Sequence, residues 1–140
     1  GGWEVEVFSY EEIGPIDADE ISAGQVIDNM LRNSRQAMKA GGRIRIRLSN
    51  LDLNGTPADL KGSFVCIEIS DEGPGIPLSI QSRIFDPYFT TKEKGTGLGL
   101  AIVFSIMKNH NGAVTFDSIP GLGTKFFLYF PAYAAFAPRP

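Results

Sequence analysis

Three short stretches carry side chains and spacings able to do chemistry. The first is Asp71-Glu-Gly-Pro-Gly-Ile-Pro77, which follows the strand-like run Phe64 to Ser70. Gly73 and Gly75 permit backbone angles and close approaches that a Cβ blocks. An ionised carboxylate only accepts hydrogen bonds. Asp71 therefore suits a ligand edge that donates, such as the amino group of adenine; an ordinary strand-to-turn exit has the same local wording. The second stretch is Gly95-Thr-Gly97-Leu-Gly99, just before a helical segment. Backbone N–H groups at a helix start bind anions, and glycines let the anion approach. No Gly-Lys-Ser/Thr ends this run, so it is not a P-loop, and its third glycine comes one residue early for the Rossmann spacing. A flexible linker is its other reading. The third is the pair Asn29 and Asn33, four residues apart and so stacked on one flank of a helix. Asn33 offers an oxygen to Mg²⁺, a hard cation that takes oxygen ligands, and Asn29 lies one turn away, near where phosphates would be. Two surface amides on an amphipathic helix is the plain alternative. Lys92 is placed to reach a terminal phosphate, or is simply one solvated member of the 13 basic residues. His110 has no second histidine with which to hold a metal, and reads as structural.

The elements that must position these groups follow from periodicity. Trp3, Val5 and Val7 alternate with Glu4 and Glu6, as in a half-buried strand. A helix is expected from about Asp19 to Ala40, with Val26, Ile27, Met30, Leu31, Ser34, Ala37 and Met38 on one stripe and Gly41-Gly42 as its stop. Arg43 to Ser49 alternates strictly. Its arginine row reads as a solvated sheet face with Glu4, Glu6 and Glu68 as cross-strand partners, rather than as a phosphate surface. Asn50 to Gly62 reads as an exposed hairpin connection, and Pro77 to Arg83 as a short helix. Ile84 to Gly99, with three aromatics, a proline and alternating glycines, reads as a mobile lid. Leu100 to Lys108 is apolar on nearly every side, as a buried helix would be. Strands Ala113 to Asp117 and Thr124 to Phe130 follow, joined by Pro120-Gly-Leu-Gly123. Ala132 to Pro140 reads as a frayed tail after a domain of residues 1–131. The sum is an α/β (α+β) two-layer sandwich: one mixed, mainly antiparallel sheet with helices packed on one face.

Composition sets outer bounds. The chain has 140 residues, 43% of them hydrophobic and 21% charged, which suits one domain with a real core. Net charge is −3, from 13 Lys and Arg against 16 Asp and Glu, which argues against a dedicated nucleic-acid binder. Cys66 is the sole cysteine, so no internal disulfide is possible, and it reads as a small buried hydrophobe. No apolar run is long enough to span a bilayer, and the start lacks a signal-peptide pattern. The abrupt opening Gly1-Gly2-Trp3 suggests a fragment of something longer.

Taken in order, the pieces form a more specific pattern. Asn29-Met-Leu-Arg-Asn33 resembles the N box of the histidine-kinase ATP-binding domain, and Asp71-Glu-Gly-Pro-Gly75 its G1 box. Ile84-Phe-Asp-Pro-Tyr-Phe-Thr-Thr-Lys92 is similar to the F box, Gly95-Thr-Gly-Leu-Gly-Leu-Ala101 to the G2 box, and Gly121-Leu-Gly-Thr124 to the last glycine motif. Phe-Thr-Thr-Lys and Gln36-Ala37-Met38 are worded like the nitrogen-regulatory branch of sensor kinases. The resemblance implies the Bergerat fold of gyrase, Hsp90, MutL and histidine kinases, with ATP and Mg²⁺ as cofactors. It implies that Asp71 accepts from the adenine amino group, with Gly73, Gly75, Ile76 and Thr124 around the base. Asn33 would hold Mg²⁺ with Asn29 near the phosphates. Gly95, Thr96, Gly97, Leu98 and Gly99 would wrap the phosphates. Phe85 and Phe89 would anchor the lid, which also carries Thr90, Thr91 and Lys92. Asn33 and Lys92 are the expected catalytic residues.

Two departures refine this expectation. Many sensor kinases have a Lys or Arg and then an aromatic after the second N-box asparagine, where this chain has Gln36 and Ala37; that moves phosphate contact toward Lys92. Bergerat ATPases have a glutamate one turn before the Mg²⁺-binding asparagine, where this chain has Asn29, so hydrolysis should be poor and transfer to another acceptor favoured. The resemblance further implies a histidine acceptor on a separate dimerisation domain, a downstream response regulator, and a homodimeric kinase, membrane-anchored or not, of which this chain is a monomeric, cytoplasmic, excised catalytic domain. A gyrase- or MutL-type ATPase and a nucleotide-free interaction module are the competing expectations.

Overall fold

The computed structural model describes residues 2–90 and 98–133. In chain order it contains β1 (Trp3–Ser9), α1 (Glu20–Ala37), β2 (Gly42–Asn54), β3 (Lys61–Asp71), a 3-10 turn (Leu78–Arg83), α2 (Gly99–Asn109), β4 (Ala113–Ile119) and β5 (Gly123–Pro131). The five strands form one sheet in the order β1-β2-β3-β5-β4. β1 runs parallel to β2, and every other pairing is antiparallel. Helices α1 and α2 pack on each other; α1 also covers β2 and β3, and α2 covers β4 and β5. This is the expected two-layer sandwich.

Helix α1 begins where Asp19 accepts the Ser22 N–H at 2.9 Å, a hydrogen bond that lowers the Asp19 carboxyl from its usual value. Its stripe falls as the spacing predicts, with Val26, Met30, Ser34 and Met38 buried. It ends at Ala37, before the expected Ala40, because the Met38 N–H closes the last turn onto the Arg35 and Ser34 carbonyls. Val26 and Met30 meet Ile44, Ile46, Ile69, Val103, Met107, Val114, Phe126, Leu128 and Phe130 in the main core. Full burial of each such side chain contributes roughly 1.5–3 kcal/mol. His110 is structural, as expected: its Nδ1 donates to the Ile106 carbonyl at 2.8 Å, at the end of α2.

Four segments differ from the periodicity reading. Trp3, Val5 and Val7 are 39%, 43% and 62% exposed rather than half-buried. Alternation separates two faces of a strand but does not say which is covered, and β1 is an edge strand outside the main helix cover. Trp3 nevertheless ties this edge to α1, its indole donating to the Met38 carbonyl at 2.8 Å. The supposed connection Asn50 to Gly62 is largely hairpin: β2 runs on to Asn54 and β3 starts at Lys61. Leu51 and Leu53 alternate on the opposite face from Ile44 and Ile46, and pack with Phe64, Cys66 and Tyr129 in a second, smaller cluster. Helix α2 is not buried all round. Val103 and Met107 are, but Phe104 is 41% exposed, since a two-layer fold leaves the outer side of a helix open. Ala132 and Tyr133 are held rather than frayed. Ile16 bridges Ala132, the Ala132 N–H donates to the Ser63 carbonyl, and the Tyr133 N–H donates to the Pro15 carbonyl. Residues 134–140 lie outside the described residues.

The outer sheet face carries the expected ion pairs. Arg43 and Arg45 meet Glu4 and Glu6 at 3.6 to 4.0 Å, and Arg47 meets Glu68 at 2.8 Å. The exposed pairs of Arg43 and Arg45 stabilise by about 0–1 kcal/mol each, whereas Glu68 is buried.

Two predictions follow from this packing. A methyl group at Gly112 would be driven into the Tyr129 carbonyl, whereas one at Gly24, in the exposed interior of α1, meets open space. Gly112→Ala should lower unfolding free energy by about 2–3 kcal/mol, and Gly24→Ala should raise it by about 0.5–1 kcal/mol, both measured by urea titration. Burial, helped by the nearby Glu68 and opposed by Arg47, pushes the Cys66 thiol from 9.0 up to about 11. The unfolded thiol ionises first, so stability should be whole below pH 9 and fall by up to about 2 kcal/mol as pH rises to about 11. Cys66→Ala should flatten that slope, leaving the smaller contribution of Tyr129, whose phenol burial also raises. An equal slope in the variant would refute the assignment.

Candidate functional site

One row of cross-strand partners organises the site. Ile44 on β2 lies opposite Asp71 on β3, Asp71 opposite Thr124 on β5, and Thr124 opposite Ser118 on β4. Residues directly opposite one another share a face of the sheet. Ile44 is fully buried under the helices, so the whole row faces the helix layer. Asp71 and Thr124 are buried polar residues, 7% and 6% exposed. The Asp71 Oδ1 accepts the Gly73 N–H at 2.9 Å, which holds the carboxylate at the mouth of the turn it begins.

That turn is fixed between two neighbours. Gly75 has φ +77°, and a Cβ there would sit 2.5 Å from the Ile119 carbonyl oxygen, so both conformation and space require glycine. The Gly121 N–H donates to the Pro74 carbonyl at 2.6 Å. The Ile76 N–H donates to the Ser118 hydroxyl at 2.7 Å, and the Ile76 carbonyl accepts from Gln81 at 2.9 Å. On the other side, a Cβ on Gly73 would lie 3.1 Å from both the Cβ and the carbonyl oxygen of Ala37, the last residue of α1.

Ala37 connects the carboxylate to the asparagines. Asn29, Asn33 and Ala37 succeed each other at four-residue steps and share one flank of α1. Since Ala37 abuts Gly73, this flank descends from the Asp71 turn, with Asn33 one turn down and Asn29 two. The Asn29 Nδ2 is buried and has no hydrogen-bond partner among the described residues. A buried donor of this kind calls for a missing acceptor, and phosphate oxygens are acceptors in abundance. The side-chain oxygen of Asn33 is a ligand type that suits Mg²⁺. Among the described residues no group of three or more His, Cys, Asp or Glu is arranged to hold a metal.

The lid is described at its ends. Ile84 is buried, and Phe85 packs on Phe104, Phe116 and Phe126 with ring centres 5.4, 5.9 and 6.4 Å away. Arg83 stacks over Phe89 at 4.5 Å, and Thr90 is exposed. Leu98 precedes α2 without a side-chain cap, and Gly99 is its first residue. Thr91, Lys92, Gly95, Thr96 and Gly97 lie outside the described residues. Two hollows, of about 350 and 410 Å³, open on the outer sheet face among Glu4, Arg43, Arg45, Arg47 and Lys125. Ion pairs form much of their walls, and the larger one also reaches Ser70, Asp71 and Glu72 at the exit of β3, although Asp71 belongs to the row that faces the helices.

Ser118 was not among the residues singled out from the sequence. Its signal was present: in β4, Val114, Phe116 and Ser118 alternate on the inward face, and Ser118 is the polar one, opposite Thr124 across a glycine turn.

Comparison with known proteins identifies the family. Residues 18–134 match the family model described as histidine kinase-, DNA gyrase B- and HSP90-like ATPase. The chain is 43% identical over 120 residues to the signal transduction histidine-protein kinase AtoS of Escherichia coli K12, covering 86% of this chain and 18% of that protein. It is 41% identical over 113 residues to the sensory histidine kinase/phosphatase NtrB of Rhodobacter capsulatus, covering 75% of this chain and 30% of that protein. Among solved structures, full-length ShkA in complex with AMPPNP superposes with a TM-score of 0.76 at 29% identity, covering 96% of this chain and 27% of that one. The nucleotide-free catalytic domain of histidine kinase ThkA superposes with a TM-score of 0.73 at 28% identity, covering 92% and 78%. The chain thus spans less than a third of the curated relatives named here. The chain therefore belongs to the histidine kinase-, DNA gyrase B- and HSP90-like ATPase family, as a catalytic domain of the sensor histidine kinase type.

Proposed function

We propose that this domain binds ATP with Mg²⁺ and donates the γ-phosphate to a histidine on a separate dimerisation and phosphoacceptor domain of a sensor kinase. The observation that carries the proposal is the placement of the buried Asp71 carboxylate and the asparagine flank of α1 on either side of Gly73. Asp71 accepts from the adenine amino group, with Gly73, Gly75, Ile76 and Thr124 shaping the base pocket. Asn29 offers its unpartnered amide to the phosphates, and Asn33 holds the cation. When bound, Mg²⁺ supplies charge neutralisation on the phosphates. Gly95, Thr96, Gly97, Leu98 and Gly99 cradle the phosphates at the start of α2, and Phe85 and Phe89 root the lid that carries Thr90, Thr91 and Lys92.

Transfer is favoured over hydrolysis because the position one turn before Asn33 holds an amide. Asn29 cannot take a proton from water as a carboxylate can. Phosphoryl transfer itself needs positioning and charge stabilisation more than covalent help from the protein. The acceptor histidine, the response regulator and the homodimer belong to the longer protein. Among the described residues no helix is long and apolar enough to cross a membrane.

Guanine would present an acceptor where Asp71 requires a donor, at a cost of roughly 1–3 kcal/mol or more. Asp71→Asn keeps an Oδ1 for the Gly73 N–H, so the fold should survive while ATP binding is lost in a calorimetric titration. Near-wild-type affinity would remove the base-recognition role. Asn33→Ala should abolish the difference between titrations with and without Mg²⁺. A difference of wild-type size would remove the metal role.

A further inference from the structure

Building on the nucleotide-binding reading, we propose that Ser118 is a positioning residue that makes the base pocket selective, by fixing both the Gly75–Ile76 bend and the hydrogen-bond polarity of Thr124. A serine hydroxyl has one proton to give and two lone pairs to receive. The Ser118 Oγ receives the Ile76 N–H at 2.7 Å, stands 3.2 Å from the Gly123 carbonyl oxygen, and lies 2.9 Å from the Thr124 Oγ1. The Ile76 N–H can only donate, and the Gly123 carbonyl can only accept. All three contacts are satisfied together only when Ser118 gives its proton to Gly123 and the Thr124 proton completes the bond between the two hydroxyls. Thr124 is left with lone pairs alone to offer elsewhere. It sits directly opposite Asp71 in the ladder, on the same face of the sheet.

The pocket between them is thus lined by acceptors from both residues, which suits a base edge that donates. The same hydroxyl joins the bend after Asp71 to β4, beside the second link from Gly121 to Pro74. Removing it leaves the Ile76 N–H without its partner and frees the Thr124 proton to turn toward an acceptor edge, such as that of guanine.

Threonine and valine have nearly the same shape, so Ser118→Thr and Ser118→Val isolate the hydroxyl. Dissociation constants for Mg·ATP and Mg·GTP would be measured by competition titration on this chain, with circular dichroism to confirm folding. Ser118→Val should weaken ATP about tenfold, on the order of one part-buried hydrogen bond, and should narrow the ATP-to-GTP preference. Ser118→Thr should restore both. A Val variant that loses ATP and GTP affinity in equal proportion reports only a smaller competent fraction and overturns the proposal, as does a Thr variant that behaves like Val. A wild-type chain that takes up no ATP overturns the nucleotide-binding reading itself, before any variant is compared.

Discussion

Backbone meets backbone at the exit of β3, and the remaining site geometry depends on that contact. Gly123 approaches the Asp71 carbonyl so closely that a Cβ is excluded, and Gly75 approaches the Ile119 carbonyl in the same way. Three chain segments therefore converge with no side chains between them: the turn after Asp71, the end of β4 and the start of β5. A carboxylate placed there is buried among closely packed backbone rather than among side chains. An ionisable group in that setting has to be hydrogen-bonded, and Gly73 supplies one bond from within the turn.

The sheet adds direction. Its inner face is covered by two helices, and its outer face divides into an ionic half around Arg43, Arg45, Arg47 and Glu68 and an apolar half around Phe64, Cys66 and Tyr129. Asp71 falls on the inner face because it continues the alternation of Val65, Ile67 and Ile69. One residue of register slip would turn it out among the arginines, where it would be one more surface acid. The apolar alternation that builds the core therefore also aims the carboxylate at α1. Trp3 extends the same coupling to the sheet edge, since its indole holds the end of α1 against which Gly73 rests.

The strongest signals in the sequence were those with a single physical meaning. The stripe of α1, the arginine–glutamate pairing and the inert cysteine came from period and residue type, and the structure carries all three. Reading failed where a pattern fixes a relation but leaves the partner open. The alternation of β1 was correct, yet nothing in Trp3, Val5 and Val7 says that the helices stop short of that edge. Asn50 to Gly62 looked like loop because its glycine and proline outweighed Leu51 and Leu53, which pair with β3 across the hairpin. Helix α2 looked buried because its apolar residues surround it, whereas in a two-layer fold one side faces water, and Phe104 stays 41% exposed beside Phe85 and Lys108. Ser118 escaped notice because it lies between two motifs and gains its meaning only from the Ile76 N–H, which is 42 residues away in sequence.

The balance between transfer and hydrolysis turns on what the α1 flank lacks. Hydrolysis needs a group that accepts a proton from water at the phosphate. The carboxylates of α1 are Glu20, in its first turn, and Asp28, which is exposed and one residue off the Asn29–Asn33 flank. At four-residue steps from Ala37 the flank reads amide, amide, methyl, so it can orient phosphate oxygens and a cation but cannot generate hydroxide. On the proposed function, such a flank would hold a phosphoryl group in place for an acceptor that brings its own nucleophile. An imidazole needs no base to become one, because its neutral nitrogen already carries the lone pair that attacks. On the proposed function, the lack of a carboxylate on the Asn29–Asn33 flank of α1 and the use of a histidine acceptor on a separate domain are two parts of one chemical arrangement.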